Sequence, residues 1–320
     1  MLSGPLTRLS AETPNNISAD GFLRITALIP RESRNFNVSA AEVPRIYGLP
    51  AVLITRMMRL GLPSEHVNGV PHFERSDLVN LSLCLQTGRR YRSIKRFWPR
   101  AVGALDGKRW IGYNLSYVTN CPLPEPHTGC RFRVLTPRGR IERKASARHS
   151  GPIFTTDIWL SCEWPELPVA ARQVVDIAAR FEHAWLPRAI QADLAFMRKT
   201  GLANCMGMSR ILAAEGRKRG LEMRSVFGLL TPPPYAGVHF WPEVKVEGIW
   251  VPFDPLMIKQ MMAWNVLDRE KWSPYRSLGG MQCRLVESRP GPETARRVVT
   301  HDRKEVAASF PVCHLGTGGR

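Results

Sequence analysis

The second half of the chain contains, in this order, a cysteine, a histidine and an aspartate of the kinds used in thiol catalysis. Cys205 follows a glycine-containing loop, His239 lies 34 residues after Cys205, and Asp254 lies 15 residues after His239. A thiolate attacks carbonyl carbons, an imidazole takes and returns a proton, and a carboxylate holds the imidazole in one tautomer. Together the three residue types suit the transfer of an acyl group through a thioester.

The elements around these residues are predicted to bring them together. Cys205 lies in the first turn of a predicted helix, where free N–H groups and the helix dipole favour the thiolate over the thiol. A strand is predicted over residues 221–230. His239 starts the next strand, and a turn at Glu247-Gly248 joins that strand to a return strand that ends before Asp254. Such a hairpin places His239 beside Asp254.

The run H-x-W-x-E-V-x-V-x-G-x-W-x-x-x-D-P begins at His239 and ends at Pro255. With the preceding Cys205 helix, it resembles the transglutaminase-like superfamily of papain-like thiol enzymes over about residues 165–260. The resemblance implies an α+β fold, in which a helix bearing the cysteine packs on an antiparallel sheet bearing the histidine and aspartate. It also implies a catalytic triad of Cys205, His239 and Asp254, with the Cys205 amide in the oxyanion hole.

Other residues of the site are predicted with less support from the pattern. The candidates for a side chain in the oxyanion hole are Gln173, Gln191 and Asn204. The residues expected to line a substrate pocket are Met206, Trp241 and Asn204.

A thiol triad of this kind is compatible with more than one reaction. The function we expect is a cysteine-dependent acyl transferase that forms a thioester at Cys205 and passes the acyl group to an amine. The alternatives are a cysteine peptidase or amidase that hydrolyses its substrate, and a DNA-binding regulator with an inactive transglutaminase-like domain. The expected substrate is a peptide, or an acyl thioester on an acidic carrier protein.

A second pattern lies nearer the N-terminus. It consists of a short helix capped by Ser39 and ended by Gly48, a helix over residues 51–60, an Asn68-Gly69 hairpin, and a helix over residues 77–85 capped by Ser76. Over about residues 36–96 this order resembles an excisionase-type winged helix-turn-helix. The alternative is a small helical unit that packs on the larger domain or docks a partner protein.

The winged helix-turn-helix resemblance implies nucleic acid as a partner. In such a module Arg56 and Arg59 would face the major groove. Three further arginines, Arg89, Arg90 and Arg92, would contact the phosphate backbone.

The positive charge is concentrated in the N-terminal half. The chain has 45 Lys and Arg against 27 Asp and Glu, a net charge of +18. Residues 1–150 contain 23 basic and 10 acidic side chains, or +13, and residues 151–320 contain 22 and 17, or +5. Such a field attracts phosphate or acidic protein surfaces, although a solvated basic surface would show the same composition.

The composition predicts a folded chain, because 44% of its residues are hydrophobic and 22% are charged. The predicted organisation is a flexible lead-in over 1–33, a winged helix-turn-helix-like domain over 34–98, a catalytic domain over 99–285 and a mobile tail over 286–320. No run of residues suits a membrane span or a signal peptide. The seven cysteines match no zinc-binding spacing and the eight histidines do not cluster. We therefore expect free thiols in the cytoplasm, no metal ion and no cofactor.

Overall fold

The computed structural model describes residues 18–123, 125, 127–286, 298–302 and 311–316. Helices and antiparallel strands both contribute to the fold, as expected for an α+β protein. The elements before residue 104 are α1 (Ala19–Leu28), β1 (Phe36–Ser39), α2 (Val43–Tyr47), α3 (Ala51–Arg59), β2 (Glu65–Val67), β3 (Val70–Glu74), α4 (Arg75–Cys84) and α5 (Gly88–Gly103).

The rest of the described chain contains longer strands and the remaining helices. In chain order they are β4 (Trp110–Asn120), β5 (Cys130–Thr136), β6 (Gly139–Ala145), β7 (Ser150–Ser161), α6 (Val169–Ile177), β8 (Glu182–His183), α7 (Leu194–Thr200), β9 (Leu202–Ala203), α8 (Cys205–Lys218), β10 (Met223–Leu230), β11 (Gly237–Val246), β12 (Ile249–Pro252), α9 (Pro255–Ala263), β13 (Gln282–Val286), β14 (Val299–His301) and β15 (Val312–Leu315).

The N-terminal elements follow the sequence pattern closely in order, but less closely in their caps. Gly48 ends α2 in the left-handed region at φ 66°, and Asn68-Gly69 forms the turn of the β2–β3 hairpin with positive φ at both residues. Ser76 does not cap α4. Instead the longer Glu74 side chain accepts from the Ser76 amide at 3.2 Å.

The cap predicted at Ser39 is also absent. α2 begins later, at Val43, and Glu42 precedes it as the flanking residue. The Ser39 hydroxyl instead donates to the Glu42 carboxylate at 2.8 Å. A β-strand ends at Ser39, so the residue closes an extended segment and does not start a helix.

The predicted flexible lead-in is wrong for residues 18–33. Ser18 caps α1 by accepting from the Gly21 amide at 3.0 Å. Phe22 and Ile25, three residues apart on one helix face, are fully buried and belong to the core. Residues 1–17 lie outside the described part of the chain.

The middle of the chain forms antiparallel strand pairs, and the tail adds strands to them. β5 and β6 form a hairpin, and β4 pairs antiparallel with β7 along its whole length. β14 pairs with β5 and β15 pairs with β4, so these parts of the predicted mobile tail are strands of two sheets. Other residues of that tail lie outside the described chain.

Residues 170–197 do not form one continuous helix. Only α6 forms there before a short 3-10 turn, and the chain then becomes extended. β8 pairs in parallel with β9, which precedes Cys205 directly. In β8, backbone pairing with β9 therefore takes the place of the hydrogen bonds that a helix would make within itself.

The predicted boundary at residues 98 and 99 falls inside α5. In the described part of the chain, both hydrophobic clusters combine residues of the N-terminal elements with residues of the later half. Phe22 and Phe73 belong to the same buried cluster as Ile211 and Phe253, and Val79 belongs to the cluster that contains Phe227. The N-terminal unit therefore packs on the domain that contains Cys205, which was the alternative to a free module.

A four-stranded antiparallel sheet in the order β12-β11-β10-β13 supports the site, and α8 packs against β10 and β11. Among the described residues, no helix combines the length and apolarity needed to cross a membrane.

Candidate active site

Cys205 is the first residue of α8, and its position is fixed by the residue before it. Asn204 caps the helix, with its Oδ1 accepting from the Gly207 amide at 2.8 Å. Its Nδ2 donates to the Gln191 carbonyl, also at 2.8 Å. The Cys205 amide lies in the first turn, where N–H groups have no partner within the helix. It can therefore donate to the carbonyl oxygen of a substrate, which becomes an oxyanion when the Cys205 sulfur attacks the carbonyl carbon.

His239 and Asp254 come from the β11–β12 hairpin. His239 lies in β11, and Asp254 follows β12 and caps α9. The Phe253 amide donates to the Pro242 carbonyl at 3.1 Å, which holds the end of the hairpin against β11. His239 Nε2 lies 2.5 Å from Asp254 Oδ2, and both side chains are buried, with 4% of each residue exposed. The carboxylate accepts, so Nε2 carries the proton.

The other ring nitrogen of His239 is left for the Cys205 sulfur, to which the ring is hydrogen-bonded. Burial alone would raise the pKa of the Cys205 thiol, but the His239 ring and the Phe240 amide lower it below its usual value. Burial alone would lower the pKa of His239, but the Asp254 carboxylate and the Cys205 sulfur raise it to about 10. The pair therefore favours a thiolate beside an imidazolium more than an isolated cysteine and histidine would.

The three candidates for the oxyanion side chain are placed very differently. Gln173 is exposed on α6. Asn204 uses both ends of its amide to cap and anchor α8. Gln191 is buried, and its carbonyl contacts Asn204 at the start of α8. The contact with Asn204 is made by the Gln191 backbone, so the identity of the oxyanion side chain stays a prediction.

Trp241 was predicted to line a substrate pocket, but its side chain is fully buried in the core. Its ring is stacked with that of His239 at a centroid distance of 6.2 Å, and its indole N–H donates to Glu243 at 3.3 Å. Trp241 therefore supports the histidine from the core. Met206 is also buried, with 6% exposed, in the cluster that contains Phe240.

Arg90, which was predicted to contact a phosphate backbone, stacks on an aromatic ring, and its contact with nucleic acid stays a prediction. Its guanidinium carbon lies 4.2 Å from the centre of the Trp185 ring. Partial desolvation and the neighbouring Arg75 lower the pKa of Arg90 to about 10, while the Cys205 sulfur acts in the opposite direction. Since Arg90 also reaches solvent, it borders both the nucleophile and the outside.

Trp185 is held in place by the N-terminal unit. The Asn80 side chain on α4 accepts from the Trp185 amide at 2.8 Å and donates to the Trp185 carbonyl at 2.9 Å. Asn80 itself is 2% exposed. The two helices α4 and α5 thus form a wall of the site through Asn80 and Arg90.

His183 is a second histidine near the triad. Burial, His239 and Arg90 lower the pKa of His183 to about 4, so it is neutral at pH 7. Its ring packs edge-on against Trp264 at 6.5 Å. No periodicity or motif marks Arg90, His183 or Trp185 in the sequence, because their proximity depends on packing between distant segments.

The other arginines predicted to bind nucleic acid lie on the surface. Arg56 and Arg59 are exposed on α3. Arg89 and Arg92 are exposed on α5, with side-chain atoms close to Gly48. Their contact with nucleic acid remains a prediction.

Comparison with known proteins agrees with the resemblance in the sequence. Residues 170–255 match the family model described as the transglutaminase-like superfamily. The crystal structure of a proposed cysteine protease from Cytophaga hutchinsonii aligns with 66% of this chain and 90% of its own, at 11% identity and a TM-score of 0.33. The comparison with curated proteins finds no match. Residues 170–255, which contain Cys205, His239 and Asp254, are therefore a transglutaminase-like domain.

Proposed function

We propose that the protein is a cysteine-dependent acyl transferase that forms a thioester at Cys205 and passes the acyl group to an amine. The observation that carries this proposal is the hydrogen-bonded series of Cys205, His239 and Asp254 at the start of α8. These groups supply a nucleophile, a proton carrier and an orienting carboxylate in one buried arrangement.

The reaction follows from the proton positions. The Cys205 thiolate adds to the carbonyl carbon, and the oxygen becomes an oxyanion near the Cys205 amide. The His239 imidazolium gives its proton to the leaving group as the bond to that group breaks, which leaves a thioester. Neutral His239 then accepts a proton from the incoming amine as the amine nitrogen attacks. Collapse of this second intermediate releases the amide and restores the thiolate.

The surroundings of the sulfur support an amine as the acceptor. Trp264 packs against His183, and Met206, the residue after Cys205, is buried in the apolar cluster that contains Phe240. Apolar walls lower the local density of water and slow hydrolysis of a reactive intermediate. Hydrolysis, which the same triad can perform, is the alternative reaction.

The position of Arg90 favours a substrate that carries a negative charge. Within the described chain it stacks on Trp185, and no carboxylate lies within ion-pair distance of it. A guanidinium in this position can bind a carboxylate or phosphate of the substrate. The substrate class we propose is an acyl thioester on an acidic carrier protein, or an acidic peptide.

The test is to incubate the chain with small acyl thioesters and with peptide amides, and to measure its intact mass. An acyl adduct on Cys205, followed by transfer to an added amine faster than to water, is the expected result. Cys205→Ala should show no adduct, while Cys162→Ser, which changes a half-buried cysteine of another segment, should behave like the parent. An adduct that persists in Cys205→Ala contradicts the proposal, and release only to water favours the hydrolase.

A second function, nucleic-acid binding, is favoured by one observation in the N-terminal unit. α3 exposes Arg56 and Arg59 just before the β2–β3 hairpin, in which β2 and the Asn68-Gly69 turn are exposed. This order of a basic helix and a hairpin is compatible with groove and backbone contacts.

A further inference from the structure

Three side chains that can bind a metal ion meet in the connection between β4 and β5. Cys121 directly follows β4, His127 lies in the connection, and Cys130 is the first residue of β5. Cys121 Sγ is 3.4 Å from His127 Nε2, and His127 Nε2 is 3.2 Å from Cys130 Sγ. All three atoms lie within 4.8 Å of one another. None of these residues contributes to the triad.

The distances fit the ligand shell of a zinc ion. With Zn–S bonds of about 2.3 Å and Zn–N bonds of about 2.0 Å at tetrahedral angles, a sulfur and a nitrogen ligand are about 3.5 Å apart. The two observed S···N distances, 3.4 and 3.2 Å, are close to this value. Small movements of the side chains would therefore admit an ion at the centre of the three atoms.

The tautomer of His127 is also suitable for metal binding. Its Nδ1 lies 2.8 Å from the Glu125 carbonyl oxygen, which can only accept, so Nδ1 carries the proton. Nε2 then directs one lone pair toward two sulfurs and can accept only one S–H proton. A single cation between the three atoms would satisfy all of them. A backbone carbonyl on the outer ring nitrogen is the usual support of a metal-bound histidine.

Both cysteines are anchored by neighbouring strands. The Cys121 amide donates to the His149 carbonyl at 2.7 Å, just before β7. Cys130 pairs with Ala145 in the β5–β6 ladder. The Leu123 amide also donates to Cys121 Sγ at 3.4 Å, as amides do to metal-bound thiolates. An ion at this point would tie the sheet containing β4 to the sheet containing β5.

We propose that Cys121, His127 and Cys130 bind one Zn²⁺ ion, with solvent as the fourth ligand, and that this ion stabilises the connection between the two sheets. Two thiolates and an imidazole form a ligand set that suits zinc. The spacing Cys-x5-His-x2-Cys matches no zinc motif, and only the path of the connection brings the residues together. The site is independent of the thioester chemistry proposed for Cys205.

The test measures the metal in the full chain. Protein purified with a reductant is loaded with Zn²⁺, desalted, and assayed by plasma mass spectrometry. About one zinc per chain is expected for the parent, for Cys162→Ser and for Cys205→Ala, and most of the zinc should be lost in Cys121→Ser, His127→Ala and Cys130→Ser. Retention by Cys205→Ala separates this site from the proposed activity.

Two further readouts guard against variants that do not fold. Co²⁺ should give a thiolate-to-metal charge-transfer absorption with the parent but not with Cys121→Ser. Added Zn²⁺ should raise the melting temperature of the parent, while Cys121→Ser should melt like the metal-free parent with or without zinc. The proposal is overturned if the loaded parent contains no zinc, if Cys121→Ser keeps as much zinc as the parent, or if the metal-free chain contains a Cys121–Cys130 disulfide instead.

Discussion

The Asp254 carboxylate accepts from the His239 ring through Oδ2, and its second oxygen, Oδ1, accepts from the Met257 amide at 3.1 Å. One side chain therefore orients the imidazole and caps α9. Because the two oxygens have separate partners, substitutions can separate the two roles.

Asp254→Asn should keep the cap and lose the orientation of the ring. The amide oxygen can still accept from the Met257 amide, but the NH₂ group facing His239 favours the tautomer with the proton on the nitrogen next to Cys205. We expect acylation by an activated ester to slow on the order of a thousandfold, with an almost unchanged thermal melt.

Asp254→Ala is the companion variant. It should lose rate to a similar extent and also lower the free energy of unfolding by about 1 kcal/mol, because the cap is removed. An Asp254→Asn protein that melts early but acylates at the parental rate would show that His239 is oriented by another group.

The pH dependence of the site follows from the pKa directions of its two central residues. Attack needs the Cys205 thiolate, whose pKa lies below the usual value, and proton donation to the leaving group needs the His239 imidazolium, whose pKa is about 10. The rate of acylation should therefore fall at low pH as Cys205 is protonated, and fall again above about pH 10 as His239 loses its proton.

Iodoacetamide tests the lower limb directly. At neutral pH Cys205 should be labelled before Cys162, whose pKa is raised by burial. His239→Gln should shift the midpoint of Cys205 labelling to higher pH, because the thiolate loses its imidazolium partner. Equal labelling of the two cysteines at neutral pH, or an unchanged midpoint in His239→Gln, would contradict the thiolate and imidazolium pair.

The local part of the site could be predicted because it depends on short-range order. The helix that starts at Cys205 and the hairpin that ends before Asp254 are each determined by neighbouring residues, and both are present in the structure. The helix caps were harder, since Glu74 competes with Ser76 for the same amide. The sequence alone does not decide which of two nearby acceptors reaches an N–H group.

The wall of the site could not be predicted, for a different reason. Arg90 lies in a run of basic residues that is typical of a phosphate-binding surface, and its stacking on Trp185 joins segments 95 residues apart. Residues 312–315 likewise form a strand only because β4 offers an edge. Such contacts depend on tertiary packing, which overrides local propensity.

Arg90→Gln tests the proposed binding of anionic substrates. Loss of one charge-assisted hydrogen bond should raise the KM for a carboxylate-bearing acyl donor about tenfold or more and leave the KM for a neutral donor nearly unchanged. Arg100→Gln, on the exposed last turn of the same helix, removes equal charge and serves as the control. If the two substitutions raise the KM equally, the rise is caused by the lower net positive charge of the protein and not by loss of a contact with Arg90.

Nucleic-acid binding by the N-terminal unit is tested by its salt dependence. Arg56→Ala and Arg59→Ala should weaken binding to duplex DNA with loss of sequence preference. Arg89→Ala and Arg92→Ala should each reduce the slope of log K against log salt by about 0.9, because one phosphate contact is lost. The assay is a mobility shift over a salt series, and no shift at low salt would rule out this function for Arg56 and Arg59.

Asn80→Ala asks whether the N-terminal unit belongs to the active site. The substitution leaves the part-buried backbone N–H and carbonyl of Trp185 without the partners that hold them, at a cost of about 1 kcal/mol for each group. Since Trp185 supports Arg90, the KM for a carboxylate-bearing donor should rise together with the fall in melting temperature. Asn114→Ala removes an exposed amide that bonds to Asp157 and should change neither. If Asn80→Ala lowers the melting temperature while the KM of the folded protein stays at the parental value, α4 has only a structural role and the Arg90 wall is held by other contacts.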